Sequence, residues 1–157
     1  MRAIARSVVL AIIVVAFACA DAHDDVMEVV TSMAGALSDT GDDTSSHSPS
    51  VSRFMSAFSK DMPDRDTLEK NVTALVNNAD VSSSIEPLTE DGNDQTYKID
   101  LDWLLEIRSL EADGPLVRRR EVVHCELRKE DTGKNKKRWK IIALKPIDFF
   151  APASLGK

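Results

Sequence analysis

Cysteine is nearly missing from this chain: 157 residues contain two, too few for a disulfide framework. Basic charge is also short, with 20 Lys plus Arg against 26 Asp plus Glu and a formal net charge of −6. That balance argues against a nucleic-acid binder working through bulk charge. Aromatic residues make up only 5%, so each has a place to be accounted for. No Gly-rich phosphate loop, nucleophile elbow, metal-ligand box or cysteine pair occurs anywhere in the sequence, which removes the motif-bearing enzyme classes. What is present is ordinary globular material, 43% hydrophobic and 29% charged. This excludes wholesale disorder, and the length suits one domain.

Residues 1–22 read as an export signal. Arg2 and Arg6 give a basic start, and Val8 to Ala18 is an unbroken apolar run, the length of a signal core and short for a membrane span. Small residues follow at signal-peptidase spacing, as Ala18-Cys19-Ala20 or Ala20-Asp21-Ala22. The expected location is periplasmic or secreted, with no stable membrane span after cleavage. Two alternatives stand beside it: an uncleaved anchor, and a lipoprotein attached through Cys19, for which Ala16 and Phe17 make a poor lipobox. Removing the signal leaves 18 basic against 25 acidic residues, a net charge of −7. Cys125 is then the remaining thiol, and a lone cysteine in a strand reads as a small buried apolar residue.

The mature chain reads as helices first and strands last. Val26, Val29, Val30, Met33 and Leu37 form one helical stripe over Asp24–Leu37, with Asp24 and Asp25 complementing the helix dipole. A polar loop, Ser38–Ser50, precedes a helix expected over Val51–Met62 and carrying Phe54, Met55 and Phe58 on one face. Asp66 with Glu69 matches a capping box opening a third helix, in which Leu68, Val72, Leu75 and Val76 share a face. From Val81 the period becomes two. Strands are expected over Val81–Leu88 (Pro87 marking its end or an edge), Tyr97–Ser109, Val117–Lys129 and Arg138–Ile147. In the second, Tyr97, Ile99, Leu101, Trp103, Leu105 and Ile107 face one way, with acids and bases on the other side. The expected fold class is α+β: three N-terminal helices packed on a curved, mainly antiparallel four-stranded sheet, a cone-shaped roll. Residues 23–150 form that single domain and 151–157 a short tail.

This order of elements resembles the nuclear transport factor 2-like superfamily, the SnoaL-like or cystatin-like cone, including uncharacterised exported bacterial proteins of that type. The resemblance rests on the opening amphipathic helix, on Phe54-Met55-Ser56-Ala57-Phe58 before Met62-Pro63, on the long hairpins and on the closing Arg138-Trp139-Lys140-Ile141-Ile142-Ala143-Leu144. It covers about Asp24 to Phe150. It implies a cone that in some members is a ketosteroid isomerase, polyketide cyclase or dehydratase and in others a binding module, so it does not decide function. The enzymes it brings to mind place an acid, a tyrosine or a His/Asp pair inside the cone. Here no Asp or Glu lies on the apolar face of Tyr97–Ile107.

The candidate pocket residues are therefore few: Tyr97, Trp103, Arg119 and Glu121. If Val123, Cys125 and Leu127 face the core, Arg119 and Glu121 share that face and could line the mouth as an ion pair or an anion anchor; a one-residue bulge would reverse them. Arg118 and Arg120 would point outward with His124, toward Asp100, Asp102 and Glu106 on the neighbouring strand. His124 lacks ligand partners at metal spacing, and neither a metal nor another cofactor is expected. The favoured reading is an exported, non-enzymatic domain binding a small apolar ligand or a protein partner. The alternatives are a small lyase or isomerase acting on a hydrophobic ligand in the cone, and a homodimeric structural module joined through its sheet face.

Overall fold

A computed structural model describes residues 21–38, 49–110, 114–133 and 136–154. The expected export signal with Cys19, most of the Ser38–Ser50 loop and parts of two later turns lie outside the described residues. Helix α1 covers 21–36, α2 Pro49–Met55 and α3 Arg65–Asn78. Strands β1 Ala79–Gly92, β2 Thr96–Ser109, β3 Leu116–Asp131 and β4 Lys137–Lys145 follow, and a single 3-10 turn, Ile147–Phe150, comes after them. The strands form one open antiparallel sheet in the order β1-β2-β3-β4. The fold is α+β, helices then sheet, as the sequence pattern requires.

The alternation of β2 sets the layer structure. Tyr97, Ile99, Leu101, Trp103, Leu105 and Ile107 are all buried, as are Val123, Cys125 and Leu127 of β3 and Trp139, Ile141 and Leu144 of β4. Against this face lie Val26, Val30, Met33 and Leu37 of α1, Phe54 and Met55 of α2, and Leu68, Val72 and Leu75 of α3, in one continuous core. Each large aliphatic side chain moved out of water there contributes about 1.5–3 kcal/mol. Among the described residues, no helix is long and apolar enough to cross a membrane.

Several element ends differ from the sequence expectation, and four elements show why. The second helix stops at Met55 rather than Met62, because the chain beyond it is drawn onto the sheet. Phe58 forms a parallel bridge with Ile141, Ser59 N–H donates to the Ile141 carbonyl at 2.9 Å, and Ile141 N–H donates to Ala57 at 2.9 Å. The third helix starts at Arg65 after a left-handed Asp64 (φ 60°) with no side-chain cap. Glu69 meets Arg65 at 3.3 Å instead of completing a box with Asp66. Strand β1 begins directly after α3 and runs past Pro87, which an edge strand tolerates; the register shifts between Pro87 and Thr89. Strand β4 ends at Lys145, before a cis Lys145–Pro146 bond, since proline has no N–H to offer the ladder.

Asn93 builds the β1–β2 turn, its side-chain oxygen accepting from Gln95 N–H at 2.9 Å and Thr96 N–H at 3.0 Å. Gly92 is required there: a Cβ would collide with the Tyr97 ring and lie 2.8 Å from the Thr96 carbonyl oxygen.

The space between helices and sheet is filled with aromatic rings. Trp103, fully buried, packs edge-on to Phe150 at 5.0 Å between centroids and tilted to Phe149 at 6.1 Å. Phe150 also meets Phe54 at 5.6 Å, and Phe54 meets Phe58 at 5.3 Å. The Trp103 indole N–H donates to Ser83 Oγ at 2.9 Å. Truncating such a residue loses transfer energy and leaves a cavity. Trp103→Ala is expected to lower the unfolding free energy by about 3–5 kcal/mol in an equilibrium urea titration. A loss below about 1 kcal/mol would mean that the aromatic cluster is not what holds the core.

Candidate functional site

The four pocket candidates do not converge. Tyr97 lies opposite Leu127, Trp103 opposite Glu121, and Arg119 opposite Leu105. Tyr97 and Trp103 are six residues apart on one strand, roughly 20 Å at strand rise. Trp103 is a core residue. The β2–β3 register runs without a bulge from Thr96↔Arg128 to Arg108↔Leu116, so Arg119 and Glu121 do share the face of Val123. They form no pair with each other, however. Glu121 is exposed, while the Arg119 guanidinium turns to the C-terminal segment. Its Nη1 donates to the Phe149 carbonyl at 3.0 Å and to the Ala151 carbonyl. Arg119 is thus a staple for the segment that carries Phe149 and Phe150.

Tyr97 meets two groups the sequence pattern did not connect to it. Its hydroxyl donates to Glu90 Oε2 at 2.6 Å, and His23 Nδ1 is 2.6 Å from the same oxygen. His23 Nδ1 and the Tyr97 hydroxyl are 3.4 Å apart. Helix α1, β1 and β2 each supply one member, so an imidazole and a phenol hydroxyl meet on the Glu90 carboxylate. His23 is 44% exposed, and with Nδ1 on Glu90 its second ring nitrogen is the atom left for another partner.

A second arrangement lies on the other flank of Tyr97. Its ring meets Trp139 edge-on at 6.1 Å, and Lys129 Nζ lies 5.3 Å from the Trp139 ring centroid. Trp139 is 4% exposed. Its indole N–H is buried and has no hydrogen-bond partner among the described residues; an unmet buried donor costs about 1–3 kcal/mol. Trp139 lines an open cleft of about 460 Å³ between α1, the end of α2 and β4. Asp25 and Glu28 come from α1, Lys137, Arg138 and Lys140 from β4, and Val29, Met33 and Ala57 add apolar surface. The Lys140 ammonium donates to the Ser56 carbonyl. Burial, and then Arg138 beside it, holds its pKa below the usual lysine value against the opposing pull of Glu130.

The outward sheet face is a field of cross-strand pairs, as the alternation implied. Arg118 meets Glu106 at 2.6 Å, Arg120 grips both oxygens of Asp102, and His124 lies 2.6 Å from Asp100. The Thr89 and His124 hydrogen bonds hold the Asp100 carboxyl below the ordinary aspartate value. Arg120 does the same for Asp102. Burial pushes the Cys125 thiol up to about 12, so it carries no thiolate at neutral pH and is not a nucleophile. Among the described residues no group of three or more His, Cys, Asp or Glu side chains could hold a metal ion. Comparison with family models, with curated proteins and with solved structures gives no match.

Two expected outcomes follow from these contacts. Arg119→Ala frees two carbonyls, so the Ala151 amide, which donates to Asp148 at 3.0 Å, should exchange faster and stability fall by about 1–2 kcal/mol. Exchange at the parent rate would remove the staple. The second concerns Glu130: burial pushes its carboxyl up, but hydrogen bonds from Arg128 and Ser59, each 2.8 Å, outweigh that and lower it. A carboxyl lowered in the folded state stabilises fully above its unfolded value, and that contribution disappears as pH falls through the folded one. Glu130→Gln should therefore melt lower than the parent at neutral pH, with the gap closing as pH falls below about 4. A gap independent of pH in thermal melts would contradict this.

Proposed function

We propose that the protein is an exported, non-enzymatic α+β binding domain of the nuclear transport factor 2-like kind, holding a small, largely apolar ligand or a protein partner in the α1–α2–β4 cleft. One observation carries the reading. The rings around Trp103 occupy the space beneath the helices, whereas the cleft is open and lined by charged and apolar side chains around Trp139. Binding belongs where such surface is accessible, so it moves from the interior to this flank. Export is part of the same proposal, and the packing of α1 favours cleavage after Ala20. Ala22 is buried and His23 is bonded to Glu90; cutting after Ala22 would strip the first from the core.

A second reading, a small lyase or isomerase acting on a hydrophobic ligand, is favoured by the joining of His23, Glu90 and Tyr97 on one carboxylate oxygen. His23 would move the proton and the Tyr97 hydroxyl would steady developing charge.

Native mass spectrometry of the protein secreted by its own host tests both. The binding reading expects a chain starting at Asp21 that retains a ligand or partner, lost from the Lys137→Glu variant. A bare secreted chain, or equal retention by the variant, would overturn it. If the bound compound is converted on incubation, to a fragment of lower mass or to an isomer of equal mass and different chromatographic retention, and His23→Gln stops the conversion, the enzyme reading replaces it.

A further inference from the structure

We infer that the α1–α2–β4 cleft binds a zwitterion of the amino-acid or short-peptide class that carries an apolar side chain. This rests on the binding reading above and adds the chemistry of the ligand. The cleft has walls of opposite sign: Asp25 and Glu28 on α1, facing Lys137, Arg138 and Lys140 of β4, with Arg53 of α2 also in the lining. Among the described residues no ion pair joins the two walls, although exposed pairs form readily across the sheet. Trp139 of β4 lines the same cleft, and its buried indole N–H has no acceptor among the described residues. Val29 and Met33 supply an apolar stretch beside it.

Each simpler ligand leaves part of this lining unmet. A plain carboxylate would satisfy the lysines but would face two acids. A cationic amine would satisfy Asp25 and Glu28 and leave the lysines of β4 without a ligand charge. A wholly apolar molecule would desolvate every charge without pairing any. A zwitterion places its ammonium toward α1 and its carboxylate toward β4, where the carboxylate accepts from Lys140. The volume, about 460 Å³, admits a single amino acid or a short peptide end. Discrimination then comes from the charges, each of which a mismatched ligand would leave unpaired.

Lys140 is positioned for this. Its ammonium is already tied to the Ser56 carbonyl on the chain after α2, so part of the ordering is met before any ligand arrives.

The test uses the full secreted chain labelled with nitrogen-15, titrated with leucine and with leucyl-leucine, and then with the N-acetylated and the C-amidated form of each. The readout is the indole N–H resonance of Trp139, identified by its disappearance in Trp139→Phe, in which an unmoved Trp103 resonance reports an intact fold. The Trp139 resonance is expected to shift with the uncapped compounds while that of Trp103 stays still. Either cap should weaken binding by about tenfold or more, the worth of one charge-assisted hydrogen bond. Lys140→Met should weaken it similarly. Tighter binding of leucyl-leucine than of leucine assigns the site to peptide ends, and the reverse order to free amino acids. Capped and uncapped forms binding alike would overturn the zwitterion inference and leave the binding reading standing. No Trp139 shift with any probe, in a protein that still retains its native ligand, would overturn the inference alone.

Discussion

The edge-on contact between Trp103 and Phe150 is the interaction on which the rest of the structure depends. Trp103 sits at the middle of the long second strand, and Phe150 belongs to the last described turn. Joining them closes the space under the helices. Phe54 completes the stack from α2, and the hydrogen bond from the indole to Ser83 ties in the first strand. Arg119 is recruited to the same purpose, holding by their carbonyls the residues that deliver the two phenylalanines. A charge that could have lined a ligand cavity is instead used to keep that cavity filled.

The two faces of the sheet divide the labour. The inner face is apolar without interruption along β2, and the outer face sets acids of β2 against bases of β3. Individually these exposed pairs contribute little. Together they agree with the unbroken β2–β3 register, which a slip of one residue would invert by turning the apolar side chains outward. The burial that leaves Cys125 inert follows from the same register: it sits between Val123 and Leu127, facing inward.

Much of this was legible in the sequence because it is local. The alternation from Tyr97 to Ile107, the helical stripe from Val26 to Leu37 and the pairing of Arg118 and Arg120 with the acids of β2 depend only on period and neighbouring strands. The end of α2 was not, since what stops it is Phe58 meeting Ile141, a contact invisible to any window of neighbouring residues. The absence of a capping box at Asp66 has a similar cause, with Glu69 taken by Arg65 one turn away. The sites were the least legible. Tyr97 stood out as the single tyrosine, but His23 is 74 residues from it in sequence and Glu90 belongs to the other strand of its hairpin. In sequence both look like ordinary charged surface, His23 next to Asp24 and Asp25 and Glu90 next to the Asp91-Gly92 turn. Trp139 alternates with Ile141 on the buried face of β4, yet nothing in its neighbours indicates that its N–H lacks a partner among the described residues.

The position of Phe149 and Phe150 has a consequence for the order of folding. Phe150 follows every strand of the sheet, and its partners Trp103 and Phe54 lie far before it in sequence. The hairpins need only neighbouring stretches of chain, whereas closing the ring cluster needs contacts of long sequence separation. The sheet can therefore take its register before the core is sealed.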